Sequence, residues 1–200
     1  MSMLRRCAIA LVFSAIGVTS SAPARAAFTE EQTAELARGE LVTETAEYDA
    51  GSHHFVGGVS YQIVNAPALR LSLIARDVTR YSELLPNVID AQLVEVLPSG
   101  TGKVRVTHKM GFVRGGYTMK IGFSEAGMLG HFYLDKSADN ALDDGWGFVR
   151  FTPLGDGART LVTYGVLFDL GGGLIRALFE SRIQLAALSY PRRLADAAAH

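Results

Sequence analysis

Asp169 to Leu194 runs DLGGGLIRALFESRIQLAALSYPRRL, and the fold class follows from how these residues are spaced. Three glycines, Gly171 to Gly173, follow a strand-like run and open a segment of helical periodicity. Ile175, Phe179, Ile183, Ala186 and Tyr190 recur at spacings of four and three, and Leu174, Leu178, Leu185 and Leu188 widen the stripe. Apolar residues at that period form one face of an amphipathic helix. About six turns, roughly 35 Å at about 1.5 Å per residue, need a broad apolar surface to lie on. A long helix gripped by a curved antiparallel sheet meets that need and leaves room for a pocket between them.

Upstream, the chain supplies the strands. From Val88 to Phe168 the pattern is β throughout: Val88 to Leu97, Lys103 to Phe112, Tyr117 to Ser124, Met128 to Leu134, Trp146 to Leu154 and Arg159 to Phe168. In Lys103 to Phe112 the alternation is sharp, with Val104, Val106, His108, Met110 and Phe112 sharing one face. Turns are expected at Pro98 to Gly102, at Arg114-Gly115-Gly116 and at Gly155-Asp156-Gly157, and a long polar loop over Asp135 to Gly145. Before these strands, Gly57 to Val64 is a strand, stopped by Asn65-Ala66-Pro67. Two short helices follow, Ala68 to Ala75 and Val78 to Leu85, with Asp77 suited to cap the second. Earlier still, Thr29-Glu30-Glu31-Gln32 has the form of a capping box for a helix ending near Gly39. GELVTETAEY then predicts an edge strand, with a turn over Asp49 to His54. Segregated helices and hairpin-linked strands make this an α+β protein with an antiparallel sheet.

The first 26 residues stand apart. Arg5 and Arg6 precede an apolar run from Cys7 to Val18, and Ala24-Arg25-Ala26 offers a cleavage site. That is the layout of a signal peptide cut after Ala26, and it predicts a periplasmic or secreted product. Cleavage removes three arginines and the single cysteine, leaving a charge near −4 from an initial −1 and no disulfide. A mildly acidic chain without a Lys/Arg block argues against nucleic acid as a partner. The organisation expected is therefore a signal peptide over 1–26, an N-terminal helix and strand over 27–55, and the main domain over 56–197.

The order of elements resembles the helix-grip fold of the START-like, or SRPBCC, superfamily, which includes polyketide cyclase/dehydrase-like and coenzyme-Q-binding START proteins. The residues that carry the likeness are Ile63-Val64-Asn65-Ala66-Pro67, the block Ala75 to Val88 with Asp77, Tyr81 and Pro86, and Phe151-Thr152-Pro153-Leu154 followed by Gly157 and Thr163-Tyr164. The resemblance implies a hydrophobic ligand, a lipid or a quinone-like molecule, held between sheet and C-terminal helix without catalysis. It implies no cofactor, and transient membrane contact accords with such a cargo.

On this reading the ligand-facing residues are His108, Met110, Phe112, Tyr117, Met119, Ile121, Tyr164, Phe168, Ile175 and Phe179. The methionines and phenylalanines give an adaptable apolar lining. His108 is the polar residue the alternation sends inward, where it would orient a ligand or sit satisfied by a backbone carbonyl or a tyrosine. Tyr117, Tyr133 and Tyr164 are candidates to bring hydroxyls inward, and Arg150 is expected outward. Two other functions fit the residues less well. One is a cyclase/dehydrase-type enzyme using His108 with Tyr117 or Tyr164 as acid and base. The other is an interaction module in the cell envelope that presents Trp146, Phe148 and Phe132. No metal is expected: His53 and His54 are adjacent and point oppositely on an extended chain, and Gly100-Thr101-Gly102-Lys103 lacks the upstream glycine and the Ser/Thr of a phosphate-binding loop.

Overall fold

A computed structural model describes residues 28–111, 113–172 and 174–200, with backbone only at 110 and 174–178. The signal-peptide expectation falls on residues outside this range, as does Phe112. The chain begins with α1 (Glu30–Ala37), β1 (Val42–Ala50) and β2 (His53–Val64), followed by α2 (Ala68–Arg76), a 3₁₀ turn at Val78–Arg80 and α3 (Tyr81–Leu84). Six strands come next: β3 (Val88–Val96), β4 (Gly102–Met110), β5 (Val113–Phe123), β6 (Leu129–Leu134), β7 (Asp144–Leu154) and β8 (Arg159–Asp169). Helices α4 (Leu174–Leu188) and α5 (Tyr190–Ala199) close the chain. The strands form one antiparallel eight-stranded sheet in the order β1-β2-β8-β7-β6-β5-β4-β3.

The local signals explain most boundaries. Thr29 accepts from the Gln32 N–H at 3.1 Å while the Gln32 side chain accepts from the Thr29 N–H at 3.0 Å, a closed capping box. Asp77 accepts from the Thr79 N–H at 3.0 Å and starts the 3₁₀ turn. β1 is the edge strand, exposed along all but Val42. The turn after it is tighter than expected: β1 and β2 pair through Ala50 and His53, leaving two residues between them.

Two other expectations are corrected. Arg114, Gly115 and Gly116 do not turn the chain but lie within β5, paired with β4. The reversal sits earlier, at Gly111, which takes φ +61°. Gly116 is needed for another reason, since a Cβ there would press on the Arg105 guanidinium at 3.0 Å. The final helix is also broken. α4 stops at Leu188, and α5 starts at Tyr190 with Pro191 in its first turn. Proline has no N–H to continue the ladder and disfavours helical geometry in the residue before it.

The main core lies between the sheet and the helices, where Leu71, Leu84, Val162, Leu188 and Leu194 are fully buried. A second, smaller cluster of Leu36, Val42 and Tyr61 lies under α1. β2 is therefore covered on both faces, which explains its nearly unbroken burial. α4 is fixed to β2 by Gln184, whose side chain donates to the Gly57 carbonyl at 3.0 Å. Gly57 tolerates no substitute, because a Cβ would stand 1.9 Å from the Val166 carbonyl oxygen.

Candidate functional site

Between the concave side of the sheet and α4/α5 lies a cavity of about 280 Å³. β4 and β5 contribute Val106, His108, Tyr117, Met119 and Ile121, while β7 and β8 contribute Val149, Tyr164 and Phe168. Tyr81 and Leu85 come from α3 and its end, Ile183, Ala186 and Ala187 from α4, and Tyr190 from the start of α5. Of the ten residues expected to face a ligand, six line it: His108, Tyr117, Met119, Ile121, Tyr164 and Phe168. Phe179 is half-buried on α4 and is not among the lining residues. Met110 and Ile175 are described by backbone alone, and Phe112 lies outside the described residues.

His108 is positioned by its strand register. It pairs with Val88 on one side and Gly115 on the other. Asn87, at φ +58°, turns the chain into β3, a left-handed conformation that asparagine tolerates better than most residues. That turn aims the Pro86 carbonyl at the His108 ring, with Nδ1 2.9 Å from the oxygen. A carbonyl only accepts, so Nδ1 carries the proton. In the neutral ring Nε2 then accepts from the Tyr117 hydroxyl, 2.8 Å away. Burial holds His108 below the ordinary histidine value and so favours the neutral ring. Both ring nitrogens are thus committed.

Three further tyrosines converge on the same space. Tyr164 stacks on Tyr190 with centroids 4.5 Å apart, and Phe132 stacks on Tyr164 at 5.9 Å. Burial pushes the Tyr81 phenol up to about 12. Burial likewise raises Tyr117, Tyr164 and Tyr190, and the neighbouring phenols reinforce the effect. All four are neutral hydroxyls at any physiological pH. Among the described residues, no hydrogen-bond partner reaches the hydroxyls of Tyr81, Tyr164 or Tyr190, and all three tyrosines line the cavity. Sequence reasoning misses Tyr81 and Tyr190 as site residues. Tyr190 belongs to the apolar stripe of the final helix and Tyr81 to the family-like block, so both read as packing.

Other residues are placed away from the cavity. Tyr133 is exposed, stacked on His131 at 6.4 Å, and Arg150 faces outward as expected. The proposed surface patch does not hold together. A Cβ on Gly147 would strike the Phe132 ring, and one on Gly165 would strike the Phe148 ring. Phe132 thus packs inward while Phe148 packs on the opposite face, and Phe132 is not available to a partner. His53 and His54 do point apart: Nδ1 of His53 meets Asp169 at 2.8 Å and Nδ1 of His54 meets Asp49 at 2.7 Å. Among the described residues no cluster of His, Cys, Asp and Glu could hold a metal, and no helix is long and apolar enough to cross a membrane.

No protein-family model and no curated protein matches the sequence. Solved structures do match the fold. A protein from Thermus thermophilus superposes with a TM-score of 0.59 at 15% identity, covering 70% of this chain and 95% of that one. The chain has the helix-grip fold. The Zhui aromatase/cyclase of a Streptomyces species matches with a TM-score of 0.56 at 16% identity, over 79% of this chain and 94% of its own. A STAR-related lipid transfer protein from Xanthomonas axonopodis also scores 0.56, at 14% identity, over 79% of this chain and 99% of its own. What is shared at these identities is the fold. β1 is an edge strand of the sheet, and the cavity lies where sheet and closing helices face each other.

Proposed function

We propose that this protein binds an uncharged hydrophobic small molecule in the cavity under α4 and does not transform it. The observation that carries this reading is an apolar hollow between sheet and helices whose interior polar groups include four neutral tyrosines and His108, the one lining Arg, Arg182, being solvent-exposed. Binding works by desolvation, at roughly 25 cal/mol for each Å² of apolar surface removed from water. At about 280 Å³ the cavity sits at the small end of the range of about 300–1,000 Å³ usual for small-molecule pockets. That suits a compact molecule and not a two-chain lipid. The solved helix-grip proteins whose names speak of lipid transfer and of aromatase/cyclase activity support the choice of a hydrophobe.

The helix α3 and the loop between β6 and β7 border the cavity through Leu85, Ala141 and Leu142, and they are the proposed portal. The sequence of residues 1–26 supports export to the periplasm or beyond, with cleavage after Ala26. Native mass spectrometry of protein purified from the cell envelope tests the main reading. A bound small molecule, or uptake of a fluorescent hydrophobe by the emptied protein, is the expected result. Protein that is always empty and takes up nothing refutes it.

The hydrogen bond between His108 and Tyr117 favours a second reading, an enzyme with Tyr117 as the proton-transferring group. The Pro86 carbonyl holds the proton on Nδ1 and leaves Nε2 to accept from Tyr117, so this pair by itself fits either reading. Recovery of the bound molecule chemically unchanged after incubation separates the two.

A further inference from the structure

The direction of the hydrogen bonds around His108 limits what the cavity can accept. The Pro86 carbonyl takes the Nδ1 proton, so Nε2 takes the proton of Tyr117. A phenol has one proton to give. The Tyr117 oxygen can therefore only accept from a group in the cavity. Tyr81, Tyr164 and Tyr190 differ: with no partner among the described residues, each can still donate. Tyr164 is 5% exposed, Tyr190 6% and Tyr81 7%, so all three are largely withdrawn from the outer surface.

A ligand group that meets both demands must donate and accept at once. A hydroxyl does so. A carbonyl accepts only, and would place its lone pairs against those of Tyr117. A carboxylate would enter a pocket with no interior cation: among the described lining residues Arg182 is the one permanent charge, and it is solvent-exposed. A pure hydrocarbon would strip the tyrosines of cavity water and return nothing, leaving buried polar groups unpaired.

We propose that the cavity selects a compact, uncharged ring compound bearing a hydroxyl, whose O–H donates to the Tyr117 oxygen while its own oxygen accepts from a neighbouring tyrosine. This rests on the ligand-binding reading and narrows it, favouring a phenol or ring alcohol over a carbonyl-only quinone. The ligand hydroxyl extends a one-way chain that runs through Tyr117 and His108 to the Pro86 carbonyl. Tyr117 and His108 act here as binding and positioning groups, with no bond made or broken.

The test uses three probes of matched shape on the emptied wild-type protein: naphthol, naphthalene and naphthoquinone. Titration calorimetry is expected to show naphthol binding about 3–10-fold more tightly than either of the others, the worth of one ordinary net hydrogen bond. In Tyr117→Phe that preference is expected to shrink to about twofold or less. A second readout needs no variant: the nitrogen chemical shift of His108 Nε2 in the wild type should move on adding naphthol and stay still with naphthalene. Equal binding of the three, or tightest binding of naphthoquinone, overturns the hydroxyl selection and leaves the cavity reading standing. Binding of none overturns both.

Discussion

Replacing Ala187 with leucine asks whether the space beneath α4 is hollow. Ala187 is partly buried against the main core and lines the cavity, and leucine is as good a helix former as the site needs. The change adds three carbons. If they enter empty apolar space, each contributes about 0.8 kcal/mol, roughly 2.4 kcal/mol in all. Ordering the longer side chain costs about 0.5–1 kcal/mol. The net expectation is a stabilisation of about 1–2 kcal/mol, which in a chain of this size raises Tm by about 2–8 °C. The same carbons enter the cavity that Ala187 lines, so uptake of a fluorescent hydrophobe should fall. Thermal and urea unfolding of the two proteins, with a binding titration of each, makes the measurement. In a filled core the sign reverses, because overpacking costs about 1–3 kcal/mol. A destabilised Ala187→Leu that binds as before would refute the cavity.

Other perturbations separate the structural and ligand-facing groups. Burial holds His108 below its ordinary value of 6.5, so the unfolded chain binds the proton more readily than the folded one. Its contribution to stability is complete above 6.5 and is lost as pH falls from there toward the folded value. Urea unfolding at about pH 7.5 and about pH 5.5 should therefore show a smaller pH difference in His108→Gln than in the wild type, and an unchanged difference would refute this. Asp135 loses its contribution only in a lower window. Its hydrogen bonds from Ser137 and Lys120 hold the carboxyl far below the usual range, so Asp135→Asn should flatten stability below about pH 4 and leave the region of about pH 5–7 alone. Leu194→Ala empties a fully buried site on α5 and should cost about 2–5 kcal/mol by urea unfolding. Gly147→Ala puts a methyl 2.3 Å from the Gly165 carbonyl oxygen and 2.4 Å from the Phe132 ring, so a loss of about 1–3 kcal/mol is expected together with weaker ligand uptake.

The fold is legible because its signals are periodic and local. Strict alternation in β4 sets its inward face, and Val104 and Val106 are buried as it requires. The capping box at Thr29 and the stop at Pro67 mark boundaries that the structure keeps. Less legible is the purpose of each glycine. Gly111 turns the chain, whereas Gly115 and Gly116 leave room for Ala141 and Arg105, and only three-dimensional packing tells these roles apart. The break at Ser189 is signalled by Pro191, but the apolar period runs through it and hides it. At the site, inward-facing His108 can be read from its strand, but its partners cannot. Pro86 approaches from 22 residues away and Tyr117 through a diagonal in the β4–β5 ladder. The tyrosine cluster draws on α3, β5, β8 and α5, and no spacing in one dimension announces it.

The interruption at Ser189 divides labour between the two closing helices. α5 is wedged among α2, α3 and the sheet, with Leu194, Ala197 and Ala198 out of reach of water. α4 meets mainly β2, where Gln184 clasps a carbonyl. Evolution can therefore retune what enters the hollow chiefly by editing α4, while α5 beyond Tyr190 keeps the scaffold standing. Hydrogen exchange should register the boundary as a step in protection between Leu188 and Tyr190.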